Sequence, residues 1–204
     1  MGEEHYFTAQ PSGVQRQRTV TFLVGGHVYR LQSAAGVFSG DRLDPGTAIL
    51  LRKAPLPGRR GGTYLDLGCG YGPIACVLAD TSPAATVYAV DVNERALELV
   101  RANAATIGAD DRVVARAPDE VPAAVRFDEI WSNPPIRVGK QELHELLEKW
   151  LPRLAPDGIA WLVVAKNLGA DSLHAWLRDA GWVAERYASQ RGYRILRVAR
   201  PEAA

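Results

Sequence analysis

The stretch Tyr64-Leu-Asp-Leu-Gly-Cys-Gly-Tyr-Gly72 constrains this chain more than any other. Thr63 to Leu67 is a short apolar run with β-branched and aromatic members, the pattern of a buried strand. Gly68, Gly70 and Gly72 then alternate with other residues. Pro73 suits the first turn of a helix, which Ile74–Ala79 continues. A strand, a glycine turn and a helix in this order bring backbone close to a ligand, because glycine has no Cβ to intervene. A dinucleotide turn would read G-x-G-x-x-G, but Pro73 stands at its third glycine position. No Gly-Lys-Ser/Thr follows, so a phosphate-cradling P-loop is excluded.

The remaining pattern repeats strand and helix. Strands are expected at 63–67, 86–91, 112–116, 126–131, 158–165, 182–187 and 193–199, with helices near 73–81, 93–107, 140–153 and 171–180. Such alternation implies a mainly parallel sheet with helices on both faces. Ser189–Gly192 is too short for a parallel crossover, so the last two strands should pair antiparallel. Ahead of this core, Thr19–Val24 and His27–Gln32 flank Gly25-Gly26, a hairpin signal. Asp44-Pro45 reads as a helix start leading into Thr47–Arg52. A single domain over 1–204 is expected, with 1–60 as a hairpin-and-helix lead-in and 61–204 as the core; Pro55–Gly62 is the connector.

The net charge of +1 supplies no global field for nucleic acid. Cys69 and Cys76 are too far apart for a C-x-x-C pair, and His5, His27, His144 and His174 are scattered, so no metal site is expected. No apolar run approaches the roughly 20 residues of a membrane helix. A soluble, cytoplasmic protein is the expectation.

Two further motifs carry chemistry. Thr86–Val90 is a strand ending at Asp91, whose carboxylate can accept from both ribose hydroxyls of an adenosine; capping of the next helix, with Asn93, is the alternative. Val92 beside it would flank adenine. Asp66, inside an apolar strand, needs a polar partner. The second motif is Ser132-Asn-Pro-Pro-Ile136. Pro134 and Pro135 have fixed φ and no N–H, leaving acceptors only: the Asn133 side-chain oxygen and the Pro134 carbonyl. Two acceptors at a rigid corner suit an amino group on a planar ring or amide, whose delocalised lone pair they would expose to an electrophile.

The glycine turn resembles motif I of the class I S-adenosylmethionine-dependent methyltransferases. The whole set resembles the small methyltransferase domain family, and within it the RsmC-type ribosomal RNA guanine methyltransferases. His5-Tyr-Phe7, Gly36-Val-Phe-Ser39, Asp44-Pro-Gly-Thr47, Asp66–Gly72, Val90–Ala96 and Ser132–Ile136 carry the likeness. It implies a Rossmann-like sheet of seven strands, one of them antiparallel, and S-adenosylmethionine as cofactor. Asp66, Gly68, Cys69, Gly70, Asp91, Val92, Asp119 and Asn133 would hold the cofactor, Asp119 by receiving the adenine amino group or else as a helix cap. Asn133, Pro134, Pro135 and Ile136 would form the catalytic turn, acting on guanine in small-subunit ribosomal RNA. Ile136 stands where the family usually has an aromatic residue. Tyr6 or Phe38 would supply the missing aromatic face, and Arg137 and Lys140 would meet phosphate. The larger family members carry an additional N-terminal domain, for which this sequence shows no counterpart. Rival readings are a glutamine amide methyltransferase of release factors, a small-molecule amine methyltransferase, a DNA adenine methyltransferase and a silent RNA-binding module. A dehydrogenase is disfavoured by Pro73.

Overall fold

A computed structural model describes residues 17–37, 42–134 and 139–201. A two-stranded hairpin, β1 (Gln17–Val24) and β2 (His27–Ala34), precedes a seven-stranded sheet. The core strands are β3 (Gly62–Leu67), β4 (Ala85–Val90), β5 (Val113–Arg116), β6 (Phe127–Ser132), β7 (Leu154–Ala165), β8 (Val183–Gln190) and β9 (Tyr193–Ala199). The helices are α1 (Pro45–Lys53), α2 (Pro73–Thr81), α3 (Glu94–Thr106), α4 (Lys140–Trp150) and α5 (Ala170–Asp179).

The sheet order is β5-β4-β3-β6-β7-β9-β8, parallel except for β9, which runs against both neighbours. From β3 the chain winds outward through β4 and β5, then returns to lay β6 on the other side of β3. That reversal opens a crevice beyond the carboxyl ends of β3 and β6, where open α/β sheets bind ligands. One sheet face packs with α1, α2, α3 and the hairpin. The other packs with α4 and α5 around Leu65, Ile130, Leu162 and Trp150. Each large buried side chain here contributes about 1.5–3 kcal/mol.

Three boundaries differ from the expectation. β8 runs on to Gln190, leaving the two-residue turn Arg191-Gly192 with left-handed φ of 47° and 81°. β7 starts at Leu154 rather than 158, and its register with β6 shifts between Phe127 and Glu129. Gly158 permits this, since a Cβ there would stand 2.8 Å from the Phe127 carbonyl oxygen. α4 stops at Trp150 because Pro152 tightens the next residues into a 3-10 turn.

The hairpin is anchored, not appended. Its Gly25-Gly26 turn has φ of 58° and 85°, which suits glycine. Val20, Phe22, Val24, Tyr29 and Leu31 face the core. Buried Asn103 of α3 accepts from the Gln32 N–H at 2.7 Å and donates to the carbonyls of Gln32 at 2.9 Å and Tyr71 at 2.8 Å. One side chain thereby joins the hairpin to the glycine turn.

Candidate active site

Three strand ends build the site. At the end of β3, the N–H groups of Gly68 and Cys69 both donate to the Val90 carbonyl, at 2.8 and 3.0 Å. Gly68, Gly70 and Gly72 hold φ of 73°, 54° and 86°. The last two serve different purposes. A Cβ on Gly72 would press to 3.0 Å from Val100 Cγ2, so this glycine lets α3 pack closely. A Cβ on Gly70 would meet only Val37 Cγ1, at 4.0 Å, so this glycine faces open space where a ligand can lie.

Asp66 is buried beneath this turn. Its Oδ2 accepts from the Ala75 N–H at 2.9 Å. Its Oδ1, equally buried, meets no donor among the described residues. Burial, reinforced by the nearby Asp91 charge, pushes Asp66 up to about 8 against the pull of the Ala75 N–H. An orphaned carboxylate oxygen of this kind fits a ligand that brings a cationic donor.

Asp91 follows β4. Its Oδ2 accepts from the Gly70 N–H and its Oδ1 from the Asn93 N–H, each at 2.9 Å. Burial raises its pKa, while these backbone N–H groups oppose the rise. The cap of α3 is Asn93, which accepts from the Arg95 N–H at 3.1 Å, so Asp91 is not the helix cap. Val92 beside it is 43 % exposed, an apolar surface open to a flat ring.

From β6, the Ser132 hydroxyl donates to the Leu67 carbonyl at 2.7 Å. Asn133 and buried Pro134 are thereby set beside the glycine turn. Asn133 shares one pocket with Gly68, Cys69, Gly70, Tyr71, Asp44 and Thr47. Asp44 caps α1 by accepting from the Thr47 N–H at 3.0 Å. The same Asp44 Oδ2 accepts from Asn133 Nδ2 at 2.7 Å, and the Thr47 hydroxyl oxygen accepts from it at 3.0 Å.

Most of the expected cofactor and catalytic residues converge here. Asp119 does not: its carboxylate is 94 % exposed and pairs with Lys149 at 3.0 Å. Lys140 is the exposed first residue of α4 and does not line the pocket that holds Asn133. Tyr6, Phe38, Pro135, Ile136 and Arg137 lie outside the described residues.

Sequence reasoning missed Asp44, Thr47 and Tyr71 as pocket residues. The Tyr71 hydroxyl is buried in the pocket wall and unbonded among the described residues. The alternation of the glycine turn pointed to its backbone, not to this side chain.

Comparison with known proteins matches residues 28–197 to the methyltransferase small domain family. An uncharacterized protein of Bacillus subtilis (strain 168), YbxB, is 34% identical over 197 residues, spanning 96% of this chain and 98% of that protein. The ribosomal RNA small subunit methyltransferase C of Pseudomonas aeruginosa (strain UCBPP-PA14) is 39% identical over 140 residues, 64% of this chain and 40% of that protein. Among solved structures, the T. thermophilus 16S rRNA N2 G1207 methyltransferase (RsmC) in complex with AdoMet and guanosine aligns with a TM-score of 0.73 at 23% identity. It covers 95% of this chain and 53% of its own, so the chain spans about half the length of that relative or less.

Proposed function

This chain belongs to the methyltransferase small domain family, and we propose that it methylates an exocyclic amino nitrogen, that of guanine N2 in small-subunit ribosomal RNA. S-adenosylmethionine is the methyl donor, and when bound it supplies a sulfonium methyl to a nucleophile with a lone pair. The donor set suits that molecule. Asp66 Oδ1 would offer an acceptor to its ammonium, Gly70 leaves room for its chain, Asp91 at the tip of β4 would accept from ribose hydroxyls, and Val92 would offer an apolar face to adenine.

The observation that carries the reading is the shared pocket of Asn133 and the Gly68–Tyr71 turn. A target amine donating to Asn133 Oδ1 and the Pro134 carbonyl is turned so that its lone pair faces the glycine turn. With the cofactor bound, that nitrogen would receive its methyl and the sulfonium would leave as the neutral thioether. The resulting cationic nitrogen is acidic and gives its proton to solvent, so no strong base is required. Asn133 and Pro134 supply orientation and stabilise the positive charge that develops on nitrogen.

The ribosomal RNA assignment is supported by the names of the relatives matched over part of their length. A glutamine amide would suit the same two acceptors, and its test is the same. Labelled S-adenosylmethionine is incubated with the protein and, separately, deproteinised ribosomal RNA, 30S particles, DNA and a protein extract. Label recovered as N2-methylguanosine supports the proposal; label confined to protein or DNA overturns it.

A further inference from the structure

Asn133 is planar, and its two ends are chemically opposite: an NH2 that only donates and an oxygen that only accepts. Which end faces the cleft decides what the corner can bind. Rotation by half a turn about the last side-chain bond exchanges the ends at little intrinsic cost.

Asp44, 89 residues away in the chain, settles the choice, and the Thr47 hydroxyl, 86 residues away, accommodates it. An ionised carboxylate can only accept, so the Asn133 NH2 must face Asp44, and the Thr47 oxygen takes its other N–H. Oδ1 therefore points to the opposite side, and among the described residues no group meets it. The fit is close: a Cβ at Gly46, between these residues, would stand 2.9 Å from Asp44 Oδ2 and 3.3 Å from Asn133 Nδ2. A carboxylate bonded to an amide N–H also draws electron density onto the amide oxygen, making it a stronger acceptor.

We infer that Asp44, assisted by Thr47, is the positioning residue that sets the polarity of the Asn133 amide and thereby restricts the acceptor substrate to hydrogen-bond donors, an N–H nitrogen. This inference rests on the methylation reading above. A reversed amide would point its own donors at the target N–H groups, repelling an amine. Asp44 has a second duty as the cap of α1, and the test must separate the two. Glycine is itself a favoured N-cap residue, so Asp44→Gly removes the lock while keeping the helix start.

Two measurements on the full chain test the assignment. In cofactor-free protein, nitrogen-15 spectra report solvent exchange of the Asn133 side-chain N–H groups. Exchange is expected to be slow in wild type, and about tenfold or more faster in Asp44→Gly, as the hydrogen bond from Asn133 Nδ2 to Asp44 is lost. With deproteinised small-subunit ribosomal RNA as acceptor, kcat should fall about 100-fold in Asp44→Gly, the scale of a misplaced catalytic group. Affinity for S-adenosylmethionine alone, by calorimetry, should stay within about threefold, and Asp44→Asn, which keeps an acceptor, should recover kcat to within about tenfold of wild type. Thr47→Val is the second variant if Asp44→Gly does not fold, with a smaller loss of the same kind. Unchanged amide exchange together with unchanged kcat in the variant that folds overturns the inference. If RNA takes no label, the exchange measurement still decides the lock, while the substrate reading fails separately.

Discussion

The Ser132 hydroxyl donates a 2.7 Å hydrogen bond to the Leu67 carbonyl, joining the ends of two adjacent parallel strands 65 residues apart. Leu67 precedes the glycine turn and Ser132 precedes Asn133, so this bond sets the spacing between the cofactor side of the cleft and its chemical corner. Ser132→Ala should lower stability by about 1 kcal/mol, the net worth of a buried hydrogen bond. Urea denaturation measures this, and turnover should fall with it because the corner shifts against the turn.

Asn133→Ala removes the acceptor and leaves the glycine turn intact. Affinity for S-adenosylmethionine should remain close to wild type while kcat falls by about 10²–10³, the usual loss for one preorganised polar group. Equal turnover in the two proteins would mean that Asn133 does not touch the reacting nitrogen.

The glycines should separate by role. Gly70→Ala must hold an L residue at φ 54°, costing about 1–2 kcal/mol, yet its methyl would point into open space. It should fold and lose cofactor affinity. Gly72→Ala adds a collision with Val100 Cγ2 to the same backbone strain, and should cost roughly 2–5 kcal/mol in thermal or urea unfolding.

Asp66 makes cofactor binding pH-dependent. Its carboxyl sits at about 8 in the cofactor-free fold and near 3.9 when unfolded. Its folded-state contribution is therefore fully present below about pH 4 and is lost as pH rises through about 8. A cationic ligand favours the ionised form, so binding at pH 7 should expel up to about one proton. Calorimetry in buffers of different ionisation enthalpy measures that release, and Asp66→Asn should abolish it.

Much of this molecule is written locally. The Thr63–Leu67 strand, the alternating glycines and Pro73 each act within a few residues, so the turn and its helix follow from backbone conformation. Asp91 at a strand tip and Asn133 before two prolines are legible for the same reason. The strand limits were less so, because the extension of β8 to Gln190 depends on pairing with Tyr193 across a turn that asks Arg191 to adopt a left-handed φ. Asp119 shows the other limit: an acidic residue after the third core strand reads as an adenine partner or a helix cap, and in the fold its exposed carboxylate lies 3.0 Å from Lys149 of α4.

The sequence by itself determined the order of strands and helices along the chain and the backbone of the glycine turn. These depend on side-chain periodicity and on φ preferences, which are properties of neighbours. Only the tertiary structure decided that Asp44 turns the Asn133 amide, that Ser132 holds Leu67 and that Asn103 ties the hairpin to Tyr71. Such bonds join residues from 32 to 89 positions apart. Their partners meet because distant strands pair side by side and helices pack onto the finished sheet, and no local pattern encodes which polar groups that assembly will bring within 3 Å.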